Sequence, residues 1–181
     1  MIWFLVAAVV VTAVAAWTDW RTGNIPNWLT FGAIGCAPIA WVVFDVVTGM
    51  PRRHAITEGC YSVLGGFVCA LVPLLLYNKN AIGGGDVKLF VAIGALCQPF
   101  IGVEAEVYGF LAAALVAPVG LAYEGKLFRT LNNALHLTLN PFIPKEKRRE
   151  VQPEGMSWFR MGPAIMLGMA FTTYLHWWKR P

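Results

Sequence analysis

The sequence predicts an all-α fold: a polytopic membrane protein built as a bundle of about six transmembrane helices plus a cytoplasmic amphipathic helix, in a single membrane-embedded domain over residues 1–181. Three observations predict it. Hydrophobic residues make up 57% of the chain and charged residues only 13%, against about a quarter in soluble domains. The mean hydropathy is +0.59. The apolar residues are gathered into runs separated by polar turns too short to form a soluble domain of their own.

The first run, Ile2 to Trp17, carries no charge. Ala13-Val14-Ala15 has the small-x-small pattern of a signal cleavage site, but the basic region that precedes such a signal is missing. The run reads as a retained span on the short side, with Trp3 and Trp17 as interfacial anchors. Thr18 to Asn27 is a polar turn, in which Pro26 suits the first turn of the next helix. Trp28 to about Val47 is a second span, Thr48 to Glu58 a loop, and Tyr61 to Tyr77 a third span, where Gly65-Gly66 allows close helix contact.

Asn78 to Gly85 is a glycine turn, and Val87 to about Cys97 begins a fourth span. Gln98 to Glu106 reads as a loop and Val107 to Tyr123 as a fifth span, with Pro118 accommodated by its neighbours. In the polar segment that follows, Leu127, Leu131, Leu135 and Leu139 recur every fourth residue among basic and amide side chains. That spacing predicts an amphipathic helix over 126–139, lying on the membrane surface or packing against a partner. Pro141 to Gly155 is a charged loop, and Met161 to Trp178 the sixth span.

The turns after the first, third and fifth spans, with Lys88, hold ten of the fourteen basic residues. The positive-inside rule puts that side in the cytoplasm, although Arg52-Arg53 lies on the other side. The net charge of +4 is no argument for nucleic acid, and no nucleic-acid partner is expected. Cys36, Cys60, Cys69 and Cys97 form no CxxC pair, and His54, His136 and His176 form no ligand pattern, so no metal site is predicted.

Two acidic residues stand at the cytoplasmic end. Asp86 lies in the run Gly83-Gly84-Gly85-Asp86-Val87-Lys88, where a polar turn enters the membrane, and Asp19 follows the first span. An acid at such a depth is expensive to hold and marks a candidate functional site. The plainer role for Asp86 is a helix cap at Val87. The parity of the spans nevertheless brings both carboxylates to one face. Asp45 belongs near the outer end of the second span, and Glu104 and Glu106 fall outside, so all three are poorer candidates. Facing carboxylates cannot both ionise readily; one can take a proton from water while the other polarises a peptide carbonyl. Water then adds to give a tetrahedral intermediate, with no metal, cofactor or covalent intermediate required.

These residues resemble the prepilin peptidases, the bacterial and archaeal members of the GxGD membrane aspartyl proteases. Gly83-Gly84-Gly85-Asp86 with Lys88 reads as GxGDxK. Asp19-Trp20-Arg21 followed by Asn24-Ile25-Pro26-Asn27 looks like the family's first-aspartate segment, and Phe159 to Ile165, with Gly168, is similar to its last-helix segment. The resemblance covers nearly the whole chain. It implies cleavage of the leader from type IV pilin-like precursors at the cytoplasmic face of the bacterial inner membrane. The precursor's hydrophobic N-terminal helix would dock beside the bundle, in lipid. It implies Asp19 and Asp86 as the catalytic pair, with Gly83, Gly85, Lys88, Asn24, Pro26 and Asn27 shaping and supporting the active-site turn. Lys88 serves equally well as a lysine reaching for the interface. Larger members carry a domain with paired CxxC motifs, linked to N-methylation. This chain has none, looks like the short Flp (tight adherence) type, and is expected to transfer no methyl group.

Two rival classes make different demands. A proton- or cation-coupled transporter using Asp19 and Asp86 calls for further polar groups deep in the spans, which hold almost none. A structural membrane subunit would tolerate Asp→Asn changes, since Asn caps about as well as Asp.

Overall fold

A computed structural model describes residues 2–123 and 160–178. Among them there are five helices and no strand: α1 (Ile2–Thr22), α2 (Asn27–Val47), α3 (Arg52–Asn78), α4 (Gly84–Tyr123) and α5 (Gly162–Trp178). Four of these, α1 to α4, are long and apolar enough to cross a membrane. The described residues fall into two compact units, one of residues 2–113 with 160–178 and a second that holds the last turns of α4 from residue 114 on. The predicted amphipathic helix over 126–139 and the charged loop over 141–155 lie outside the described residues.

Threonine hydroxyls along α1 are satisfied within the helix, as apolar surroundings demand. The Thr12, Thr18 and Thr22 hydroxyls donate to carbonyls four residues back in α1. The helix stops at Gly23, whose φ of 70° is left-handed and whose N–H reaches the Asp19 carbonyl at 2.9 Å, a common glycine-type ending. Pro26, with φ −65° and ψ 133°, caps the start of α2 and hands it directly to Asn27. Asp19 therefore stands within the last turn of α1 and not in a polar turn, and α1 is longer than the apolar run alone predicted. α3 likewise begins at Arg52, where the sequence reads as loop.

α4 is broken at Gln98, which has φ 64° and ψ 173°. The chain reverses there. In an unbroken helix Gly94 and Gly102 would stand about 12 Å apart; here a Cβ on Gly102 would lie 2.9 Å from the Gly94 Cα. Phe90 and Phe110 stack with ring centroids 5.0 Å apart. The arm over 99–113 thus folds back on the arm over 84–97. The predicted loop from Gln98 to Glu106 shrinks to one residue, and Glu106 is buried beside Cys69.

Helices that follow one another in the chain run antiparallel. The Ser62 hydroxyl donates to the Ala95 carbonyl at 2.6 Å, and Gly66 faces Val91. His176 at the end of α5 shares a 2.7 Å hydrogen bond with Glu104, while Gly168 abuts Gly109. Phe4 of α1 stacks on Trp41 of α2 at 3.8 Å, and the Trp41 indole N–H reaches the Leu96 carbonyl at 3.1 Å. The core between these helices is apolar and centred on Leu89, Phe90, Ile93, Ile165 and Met169.

Candidate active site

Four segments meet at one end of this bundle: the last turn of α1, the turn into α2, the first turn of α4 and the first turn of α5. Three contacts hold them there. A Cβ on Gly85 would lie 3.3 Å from the Ile25 Cβ, so the glycine lets α4 begin flush against the turn before α2. The Lys88 ammonium donates to Asn27 Oδ1 at 2.9 Å and sits 5.0 Å over the Phe31 ring. The Gly162 N–H donates to Asp19 Oδ2 at 3.0 Å.

Asp86 is in the first turn of α4, which starts at Gly84, three residues earlier than the sequence reading had it. Gly83 opens the helix, its carbonyl accepting from the Asp86 and Val87 N–H groups. Asp86 Oδ2 accepts from the Gly83 N–H at 3.2 Å, as the third helical residue does in a capping box. Asp86 is thus held as a cap, but it is also buried, at 9% exposure, and Asp19 is buried at 7%. The two stand close enough for their charges to interact.

The other residues expected at the site divide. Gly83, Gly85, Lys88 and Asn27 make the contacts just described, and Pro26 caps α2. Asn24 is exposed, and its backbone meets the Thr22 hydroxyl at 3.3 and 3.4 Å; the structure does not bring it to the carboxylates. Two residues absent from the expected set are present: Gly162, and Arg160, whose guanidinium donates to the Trp20 carbonyl. The pattern around Gly162-Pro163 marked that segment only as a likeness, without a role. At the opposite end, His54 lies 3.7 Å from Asp45 and 3.9 Å from Glu58, and Gln98 donates to Glu58. No group of three or more His, Cys, Asp or Glu among the described residues is arranged to hold a metal.

Chemically, the near end offers two buried carboxylates, each fixed through one oxygen by a backbone N–H at a helix start. The second oxygen of each has no such backbone bond among the described residues. The model of the type IV leader peptidase family matches residues 5–119, a stretch that includes both. A prepilin leader peptidase/N-methyltransferase of Vibrio cholerae is 33% identical over 102 residues, covering 55% of this chain and 36% of that protein. The matched stretch is thus only about a third of that curated relative's length. No solved structure matches the chain.

Proposed function

The chain belongs to the type IV leader peptidase family, and from that premise we propose that it is a membrane aspartic endopeptidase that cleaves the leader from type IV or Flp-like prepilins. Asp19 and Asp86 are its catalytic pair. The observation that carries this reading is their convergence: two buried carboxylates, from the end of one apolar helix and the start of another, with charges in reach of each other. Such a pair works as a unit. The ionised carboxylate takes a proton from water, and its protonated partner polarises the scissile carbonyl. The pair then returns a proton to the leaving amine. Backbone N–H groups hold one oxygen of each acid, which leaves the others for water and substrate.

The chain crosses the bacterial inner membrane about six times on this reading, with each arm of α4 and α5 counted as a crossing. Antiparallel contacts between successive helices, with the two arms of α4 taken separately, support that count, and the basic-residue bias supports a cytoplasmic site. The substrate brings its leader to the carboxylates and its apolar helix to the lipid-facing surface. Glu106 is the buried acid a transport reading would draw on, but it sits beside Cys69 inside the packed helices.

The test is leader cleavage. Membranes carrying the wild type, Asp19→Asn or Asp86→Asn are mixed with a panel of prepilins and scored by gel shift. Cleavage by the wild type and none by either variant, at equal expression, is expected. Asn at 86 preserves the cap and removes only the charge, so an active Asn variant would reduce that aspartate to a structural residue.

A further inference from the structure

On the reading that Asp19 is a catalytic carboxylate, we propose that Gly162 and Arg160 are positioning residues: together they fasten the start of α5 to the last turn of α1 and so fix where that carboxylate stands. Two bonds, made to adjacent residues of α1, carry the proposal. The Gly162 N–H donates to Asp19 Oδ2 at 3.0 Å, and the Arg160 guanidinium donates to the Trp20 carbonyl. The Trp20 carbonyl is among the last of α1, which the helix cannot satisfy itself, and a cation there also meets the negative end of the helix dipole. The Gly162 N–H is among the first of α5 and is equally without a partner inside its own helix. Each helix end completes the other, and the Asp19 carboxylate is the link between them.

The space around Gly162 is a separate observation. A Cβ there would stand 2.9 Å from both the Cβ and Oδ2 of Asp19 and 3.2 Å from the Ala16 Cα. Ala16 would be met at its backbone, which cannot yield as a flexible side-chain end can. Asp19 is buried, so its carboxylate has no free solvent to swing into. Gly162 does not share the left-handed φ of Gly23 and Gly49. What the position requires is the absence of a side chain, and the reason is the carboxylate.

The test measures cleavage kinetics and thermal stability of the purified full chain, using a prepilin that the wild type cuts. The variants are Asp19→Asn, Gly162→Ala, Gly168→Ala, Arg160→Met and Arg160→Lys. Gly168→Ala is the packing control, since its methyl would overlap backbone of Gly109 in α4 and not Asp19. Displacing a reacting group by about 1 Å can cost about a hundredfold in rate. Gly162→Ala is therefore expected to lower kcat by about that factor with KM nearly unchanged, while losing less thermal stability than Gly168→Ala. Arg160→Met lowers kcat by about tenfold on the same ground, and Arg160→Lys, which can still donate once, recovers part of it. An inert Asp19→Asn beside a Gly162→Ala of wild-type kcat overturns the clamp and leaves the peptidase reading standing. An Asp19→Asn that cuts normally overturns both. Losses of kcat that merely follow the loss of stability across the two glycine variants make Gly162 a packing residue and end the proposal. If Gly162→Ala does not fold, the exposed Arg160 decides: unchanged kcat in Arg160→Met overturns it.

Discussion

Gly83 and Lys88 flank Asp86, and they should differ sharply under substitution. A Cβ on Gly83 would stand 3.2 Å from Asp86 Oδ2, the oxygen that the Gly83 N–H holds. Gly83→Ala therefore pushes on the proposed catalytic group itself and should lower kcat/KM by about a hundredfold. Lys88 makes one exposed hydrogen bond to Asn27. Losing such a bond costs about 1 kcal/mol, so Lys88→Met should stay within about tenfold of the wild type. Cleavage kinetics of the two variants side by side check the ranking; a larger loss at Lys88 would give that ammonium a direct part in the chemistry. Asp19 and Asp86 stand out in the sequence because each is a charged side chain at the end of an apolar run. Gly162 was not legible as a partner of Asp19, because its contribution is a backbone N–H, which every non-proline residue has, and because the bond joins residues from opposite ends of the chain. Only folding singles it out.

At the scale of elements, glycine decides how closely α3 and the two arms of α4 approach. A Cβ on Gly94 would overlap the Gly65 carbonyl oxygen, and one on Gly65 would meet the Gly94 carbonyl and the Gln98 backbone. These are main-chain atoms in a packed core, so repacking cannot absorb the methyl. Overpacking typically costs about 1–3 kcal/mol, and contact with backbone belongs at the upper end. Gly94→Ala should therefore lower Tm by about 5 °C or more, whereas Gly35→Ala, with nothing within 4 Å of the new methyl, should hold or raise it. Thermal unfolding in detergent checks the pair. Equal stability would mean that the arms of α4 are not packed as described. The Gly65-Gly66 contact was anticipated from the sequence, and so was a boundary near Gln98. Its form was not. Polar residues from Gln98 to Glu106 suggested a loop, but Glu104 finds His176 and Glu106 is buried beside Cys69. Polar side chains with partners on neighbouring helices leave the backbone free to stay helical, and no local pattern reveals partners that distant in sequence.

For the whole molecule, the proposed orientation, with the Asp19–Asp86 end in the cytoplasm, rests on charge and connectivity together. Asn24 and Asn80 lie in the turns at the Asp19–Asp86 end, and Met50 lies in the turn after α2 at the other. Moving Lys or Arg across an apolar core is costly, so the end with more basic residues is the one retained inside. The proposed enzyme needs the same orientation, since the leader of an unprocessed precursor is presented from the cytoplasm. We expect single cysteines at Asn24 and Asn80, in a chain whose four native cysteines have been replaced, to escape a membrane-impermeant maleimide in intact cells and to react once the cells are opened. A cysteine at Met50, which is 50% exposed, should react in both. The Arg52-Arg53 pair beside Met50 is the feature that opposes this arrangement, and the experiment weighs it directly. Labelling of Asn24→Cys and Asn80→Cys but not Met50→Cys in intact cells would invert the molecule. The carboxylates would then face away from any leader waiting in the cytoplasm, and the peptidase reading would fail with the topology.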